Sequence, residues 1–498
     1  MIMKVQHYIC LILLLAAFGC EKDLEPTVYN RLSTVNFPQT VADAEVLVNG
    51  IYGEFRGDNA WYRYSINPEA RLMLGEYGTE ECWMNWEWAN TPQMNFDYNP
   101  NYDLFTNFYG RMVPVVTKAT AVIAQLKEVS FDDTEAQNRL IAEVKACRAL
   151  WLYDLDGFYG QPQVVLDPEA ALNPQQLYYP PKLSAEEFLA FVETDLLEAM
   201  AALPVQASEY GRFTKGAAMT ILLKFYMRYH AWEKAANLSQ EIMNLHQYEL
   251  LDDYTSIWSI NNERNKEIIF ALGCIAENNP NTNLMRAHVL PADYVSPNGA
   301  PVVAYSGYRL PWSVYDSFDD ADIRKKTMVK DYYVRSGSNL ELVDGRATQR
   351  LINGALPLKY DEDRNSDGTY QGNDLVILRY ADVLLLRAEA LNKLNGLNQE
   401  SVDLVNEIRD RAFLGNASKR IQLADFASPD AFDDYLLQER LWEFCFEGER
   451  REDLIRHGKY ISYAGARGKN AQAHHVRYPI PMSAVIEGQG NIKQNAEY

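Results

Sequence analysis

Positive charge is scarce in this chain: 47 lysines and arginines stand against 68 aspartates and glutamates, a net charge of -21 over 498 residues. A body this acidic repels polyphosphate, which argues against nucleic acid as a partner and makes anionic membrane surfaces unattractive. An acidic polysaccharide would need a local basic pocket. Cysteine is scarce too, with six residues and no CxxC. Cys147 and Cys445 fall on apolar faces of predicted helices and read as buried thiols. Together with Cys82 and Cys274 they leave one disulfide open. HExxH, G-x-S-x-G, Walker A and dinucleotide glycine motifs are all missing. The paired carboxylates of a glycosidase need no fixed spacing, so a surface glycoside hydrolase stays as the alternative from another class.

Long apolar runs are missing with one exception. Tyr8 to Phe18 is uninterrupted but only 11 residues long, well short of the about 20 needed to span a bilayer. With Lys4 before it and Ala17, Gly19 and Cys20 after it, the run has the form of a signal peptide over 1–19. Cys20 then becomes the first mature residue and the site of lipidation, with an ordinary secretory signal and a nearby cysteine as the alternative. The polar stretch 20–40 serves as tether. The body divides into a helical region, 41–274, with an aromatic loop at 57–106, and a region 275–498 with a loop-rich part at 275–377 and terminal helices.

Helical periodicity dominates, and alternation of the β type is short and rare. Helices are expected over 41–56, 107–129, 134–158, 184–202, 214–229, 232–245, 378–394 and 399–414. Pro114 predicts a kink or a late start in the second. Ser184 and Glu187 form a capping box. Small residues (Ala217 and Ala218, Ala235 and Ala236, Ala381, Ala388 and Ala390) let neighbouring helices approach, in the manner of tetratricopeptide hairpins. The loop-rich stretches hold too many aromatics to read as disordered.

The last third supplies the most specific pattern. ERLWEFCFEGERREDLIRHGK (439–459) sets an apolar face against dense charge whose spacing suits i,i+3 and i,i+4 ion pairs. YPIP (478–481) and the QNAEY terminus follow. With LRYADVLLLRAEALNKL (378–394), AEVLVNGIYGEF (44–55), VKACRALWLYDLDGFYGQPQVV (144–165) and GRFTKGAAMTILLKFYM (211–227), the chain resembles the SusD/RagB family of Bacteroidetes surface lipoproteins. The resemblance implies a predominantly α fold of about four tetratricopeptide-like hairpins packed against a loop-rich ligand-binding part. It also implies a role: a glycan receptor, lipid-anchored at the outer face of the outer membrane, delivering oligosaccharide to a SusC-like TonB-dependent transporter without catalysis. A peptide or other nutrient receptor of the same architecture is the alternative within binding proteins, and a pure scaffold a further one.

Two candidate sites stand out. Trp83, Trp86 and Trp88 concentrate flat apolar rings, the complement of a sugar's C–H face, beside polar residues that suit its hydroxyls. In an extended segment they are expected to share one face. The family's use of the loop-rich part adds Tyr305, Tyr308 and Trp312, and Arg71 and Tyr77 complete the candidate ligand set. The second site is a loop, Asp363, Asn365 and Asp367, then Gly368 and Asp374, with the spacing of an EF-hand-like calcium loop ending before a helix. A plain acidic turn is its alternative. No cofactor beyond that structural calcium is expected.

Overall fold

The structure, a computed structural model, describes residues 37–56, 63–88, 94–129, 133–173 and 178–498. The apolar run expected as a signal peptide and Cys20 lie outside the described residues. Helix α1, Val41–Gly53, opens on a capping box between Thr40 and Asp43. Helix α2, Asp103–Glu128, starts four residues before the expected 107 and runs through Pro114. Pro114 and Gly110, whose carbonyl loses its intrahelical donor, both face solvent, so water can serve that carbonyl. Helix α3 is Thr134–Tyr159, and α4, Ala185–Ala202, begins at the expected Ser184–Glu187 box. Lys215–Arg228 (α5), Trp232–Asn244 (α6), Tyr380–Asn395 (α7) and Gln399–Ala412 (α8) follow.

Each of these helices from α2 onward packs against the next, α2 on α3 through to α7 on α8. This is the expected stack of hairpins. The small residues at the contacts are buried. The turn between α7 and α8 depends on Gly396, which takes a φ of +71° and donates its N–H to Asn392 O at 2.9 Å. Because α6 touches α7 directly, the loop-rich residues between them are a splice out of the stack. Its ends are sewn together where strand β2, Ile268–Leu272, pairs antiparallel with Leu375–Arg379.

Other strands are equally short and pair in twos. Trp83–Met84 (β1) lies antiparallel to Tyr308–Arg309 (β3). Met328–Val329 (β4) pairs with Leu356–Pro357, and Asp331–Ser336 (β5) with Asn339–Asp344 (β6). The stretch expected as an inserted aromatic loop is not a surface feature throughout. From Tyr64 to Met84 nearly every residue is buried, including Glu76, Thr79 and Glu81.

The charges of 439–456 also differ from expectation. Helix α9, Pro429–Phe444, and helix α10, Arg450–Arg456, carry them inward. Among the described residues only Arg456 with Asp453 makes an ion pair within this stretch at i,i+3. Glu443 instead meets Arg379 at 2.6 Å, Arg411 at 2.5 Å and Arg324 at 3.2 Å. Glu267 on the splice joins Arg379 and Arg411. Arg440 binds Asp382 and Asp453, each at 2.8 Å. Glu449 binds Lys224 at 2.6 Å and Arg71 at 3.1 Å. Helical spacing shows which residues share a face but not whether that face is wet. Here it is dry, so each charge takes its partner from another element, and desolvation makes that partner obligatory.

Candidate functional site

Three distant segments meet at the aromatic run. Strand β1 fixes 83–84 against 308–309, and Asn85 N extends the pairing by donating to Gly307 O at 2.8 Å. On the other side of β3, Leu310 and Ala355 exchange backbone hydrogen bonds of 2.9 and 2.8 Å. Side chains add further ties. Asn85 Nδ2 donates to Ser306 O at 2.8 Å, Asn353 Nδ2 to Asn85 Oδ1 at 3.0 Å, Trp86 Nε1 to Tyr305 O at 3.1 Å, and Trp312 Nε1 to Leu351 O at 2.9 Å. Backbone strain collects here as well. Ser306 takes a φ of +54° and Tyr305 N and Gly307 N reach back to Ala287 O and His288 O, each at 2.7 Å. A non-glycine residue in that region costs on the order of 1 kcal/mol or more, supplied by the surrounding hydrogen bonds.

The rings follow from this frame. Trp86 and Trp88 are nearly parallel, 7° apart with centroids at 6.3 Å, and Trp88 is 60% exposed. Behind Trp86 stand Tyr308 and His288, both with centroids at 5.6 Å. Burial pushes the His288 pKa down to about 4, so the ring is neutral, and its Nδ1 lies 3.0 Å from Leu284 O. Gly307 is required for this seating, since a Cβ there would come within 2.8 Å of the Trp86 ring. Trp88 borders a cavity of about 520 Å3 shared with Glu69, Asp97 and Tyr102. Trp312 lies under Arg346, whose Cζ is 4.2 Å from the ring centroid and which pairs with Asp316 at 2.5 Å.

Trp83 stands apart. Its spacing of three from Trp86 places the two on opposite faces of an extended chain, and ring contact among the described residues joins Trp86 to Trp88 but not to Trp83. The three tryptophans do not share one face. Trp83 Nε1 is buried without a hydrogen-bond partner, as is Nη2 of its cross-strand neighbour Arg309. Arg309 donates to Val289 O at 2.8 Å, and burial lowers its pKa to about 10.

The remaining candidates are taken up by the fold. Tyr308 is buried beneath Trp86, with its hydroxyl on Ile66 O. Arg71 is buried in ion pairs with Asp154 and Glu449. Tyr77 is fully buried, donating to Pro68 O at 2.7 Å. In the acidic loop the carboxylates turn to backbone amides. Asp363 accepts from Asn365 N and Gly372 N, Asp367 from Thr369 N and Tyr370 N, and Asp374 from Cys274 N. Among the described residues no group of three or more His, Cys, Asp or Glu side chains is arranged to hold a metal ion. The loop ends before strand β8, Leu375–Arg379, rather than before a helix. Sequence reasoning missed Asn353, His288 and Arg346, which carry no local signal and reach the site only through long-range pairing. Cys82, Cys147, Cys274 and Cys445 are unbridged.

Comparison with known proteins gives a consistent family. Residues 308–498 match the sequence model of the SusD family. SusD-like protein P25 of Formosa agariphila is 23% identical over 541 residues, covering 96% of each chain. A solved SusD homolog from Bacteroides thetaiotaomicron superposes with a TM-score of 0.79 at 19% identity, covering 94% of this chain and 99% of that one. Surface glycan-binding protein A from Bacteroides thetaiotaomicron, solved in complex with laminarihexaose, has a TM-score of 0.73 at 20% identity, covering 92% and 100%.

Proposed function

We propose, from the premise that this chain belongs to the SusD/RagB family, that it is a cell-surface receptor which binds glycan and delivers it to a SusC-like TonB-dependent transporter in the outer membrane. The observation that carries the reading is the Trp86–Trp88 pair: two near-parallel rings, one of them well exposed, on a segment locked by hydrogen bonds to two others. Such a platform covers the apolar face of a sugar ring, and it is rigid before the ligand arrives, so little ordering entropy is lost on binding. Asn85, Asn353 and the carboxylates beside Trp88 supply partners for ring hydroxyls. The lipid on Cys20 keeps the receptor beside its transporter. A calcium ion in the 363–374 loop is not part of this reading, because its carboxylates already serve backbone amides.

A relative named as a glycan-binding protein, with laminarihexaose bound, supports binding rather than hydrolysis. The test is titration of the mature chain, with Cys20→Ser to keep it in solution, against laminarihexaose and a panel of other oligosaccharides. Binding is expected without new reducing ends, and Trp86→Ala with Trp88→Ala should weaken it about ten-fold or more. New reducing ends would identify a hydrolase. Binding of peptides with no binding of glycans would overturn the ligand class.

A further inference from the structure

A separate cavity of about 530 Å3 lies beyond the short helix Met285–Val289. His288 of that helix touches Trp86, whereas Arg286, two residues away and on the opposite side of the helical turn, lines the cavity. The walls are not a packing fault. Val295 N donates to Tyr333 O at 2.8 Å, Leu358 N to Thr327 O at 2.9 Å, and Ser259 Oγ and Ile260 N to Asp361 at 2.7 and 2.9 Å. Each wall is therefore fixed to another by hydrogen bonds, which hold the space open. Its size falls within the range of small-ligand pockets, roughly 300–1,000 Å3.

The lining suits a polyhydroxylated, uncharged molecule. Tyr294 and Tyr333 present half-buried rings. The Arg286 guanidinium is nearly buried, yet its contacts are all long: 3.4 Å to Tyr360 O, 3.5 Å to Tyr294 Oη and 3.5 Å to Glu362. It retains donor capacity toward the cavity. Charge is balanced, with Arg286 and Lys326 facing Asp253 and Asp331. The other two charged groups are engaged outside the cavity's needs, Lys359 with Glu447 and Asp361 with Asn373. Nothing in that balance selects an anion or a cation. We propose that this cavity is a second saccharide site, taking neutral sugar units of a glycan between the rings of Tyr294 and Tyr333 with Arg286 on their hydroxyls, and separate from the Trp86–Trp88 platform.

The inference is tested by calorimetric titration of four forms of the mature chain with laminarihexaose, maltohexaose, cellohexaose and xylohexaose. The forms are the wild type, Trp86→Ala with Trp88→Ala, Tyr333→Ala with Lys326→Ala, and all four changes together. Lys326 is exposed and Tyr333 only half-buried, so unchanged thermal melting is expected and is checked on each form. At least one hexaose should still bind the tryptophan variant, and that residual binding should fall about ten-fold or more when the cavity pair is also changed. Residual binding indifferent to the cavity pair overturns the second site, as does complete loss of binding in the tryptophan variant. The latter result leaves the proposed platform standing. Loss through the cavity pair alone, with no effect of the tryptophans, keeps the cavity and removes the platform. A wild type that binds none of the four neutral hexaoses overturns the inference as stated.

Discussion

Glu443 is fully buried and surrounded by Arg411, Arg379 and Arg324. Burial opposes its charge, and the three guanidiniums overcome that, holding its carboxyl well below the usual carboxylate range. Glu443→Gln keeps the volume but removes the carboxylate that three buried guanidiniums share, leaving Arg379 and Arg411 on Glu267 and Arg324 on Asp322 and Glu439, so a loss of roughly 2–3 kcal/mol is expected, read from the urea midpoint. A loss under about 1 kcal/mol would mean that water reaches this network. A different pair works in the opposite pH direction. Glu76 accepts from Gly448 N at 2.5 Å and Glu81 from Phe446 N at 3.0 Å, both inside the core. Burial comes first among the causes that push both carboxyls up, Glu76 to about 7, with Glu76 also raising Glu81. Arg450 and Lys359 pull the other way without prevailing. The folded protein thus keeps a proton that an ordinary glutamate, near 4.5, gives up. Stability from the Glu76 proton is complete below about 4.5 and is lost as pH rises through about 7. His288 and His475, held near 4 by burial, contribute in the reverse sense. Comparison of variants separates the two effects: Glu76→Gln should gain on the wild type as pH rises from about 4.5 to 7, in melting temperature across a buffer series. A constant difference across that range would place the retained proton elsewhere.

At the scale of elements, the β1–β3 ribbon is what turns a run of tryptophans into a surface. Gly307 is its tightest point, where an added Cβ would lie 2.8 and 2.9 Å from two atoms of the Trp86 ring. Gly307→Ala should displace that ring, cost about 1–3 kcal/mol by overpacking, and weaken glycan binding while circular dichroism stays native. Unchanged affinity would show that Trp86 does not need this pose. The same ribbon marks where sequence reading ends. Helices α2 to α8 were legible because caps such as Ser184 with Glu187, and small residues such as Ala217 and Ala388, are local signals. The aromatic residues of the platform were visible as composition. Their arrangement was not, because Asn353 meets Asn85, and His288 meets Trp86, only after strands far apart in the chain have paired. The Asp363–Asp374 spacing meets the same limit: a count of oxygen ligands does not say where the carboxylates turn, and here they turn to amides.

Over the whole molecule, the part that matches the SusD family, 308–498, is not self-sufficient. Several of its buried charges are satisfied by residues before 275. Glu449 relies on Lys224 and Arg71, Glu452 on Arg228, Arg450 on Glu80, and Arg379 and Arg411 on Glu267. Strand β8 needs β2, and Tyr478 sends its hydroxyl to Leu74 O at 2.8 Å. A division near residue 274 would cut all of these at once and leave several charges buried without partners, each costing more than an exposed pair could return. Two consequences follow. Residues 20–498 should unfold in one cooperative transition, with calorimetric and van't Hoff enthalpies in agreement, despite their number. Residues 275–498 expressed alone should lack native near-ultraviolet dichroism and bind no glycan, even though Tyr305 and Trp312 are present. Two resolved transitions, or a folded C-terminal fragment, would mean that the charges crossing the division are dispensable and that the platform's supporting strand tolerates loss of its partner.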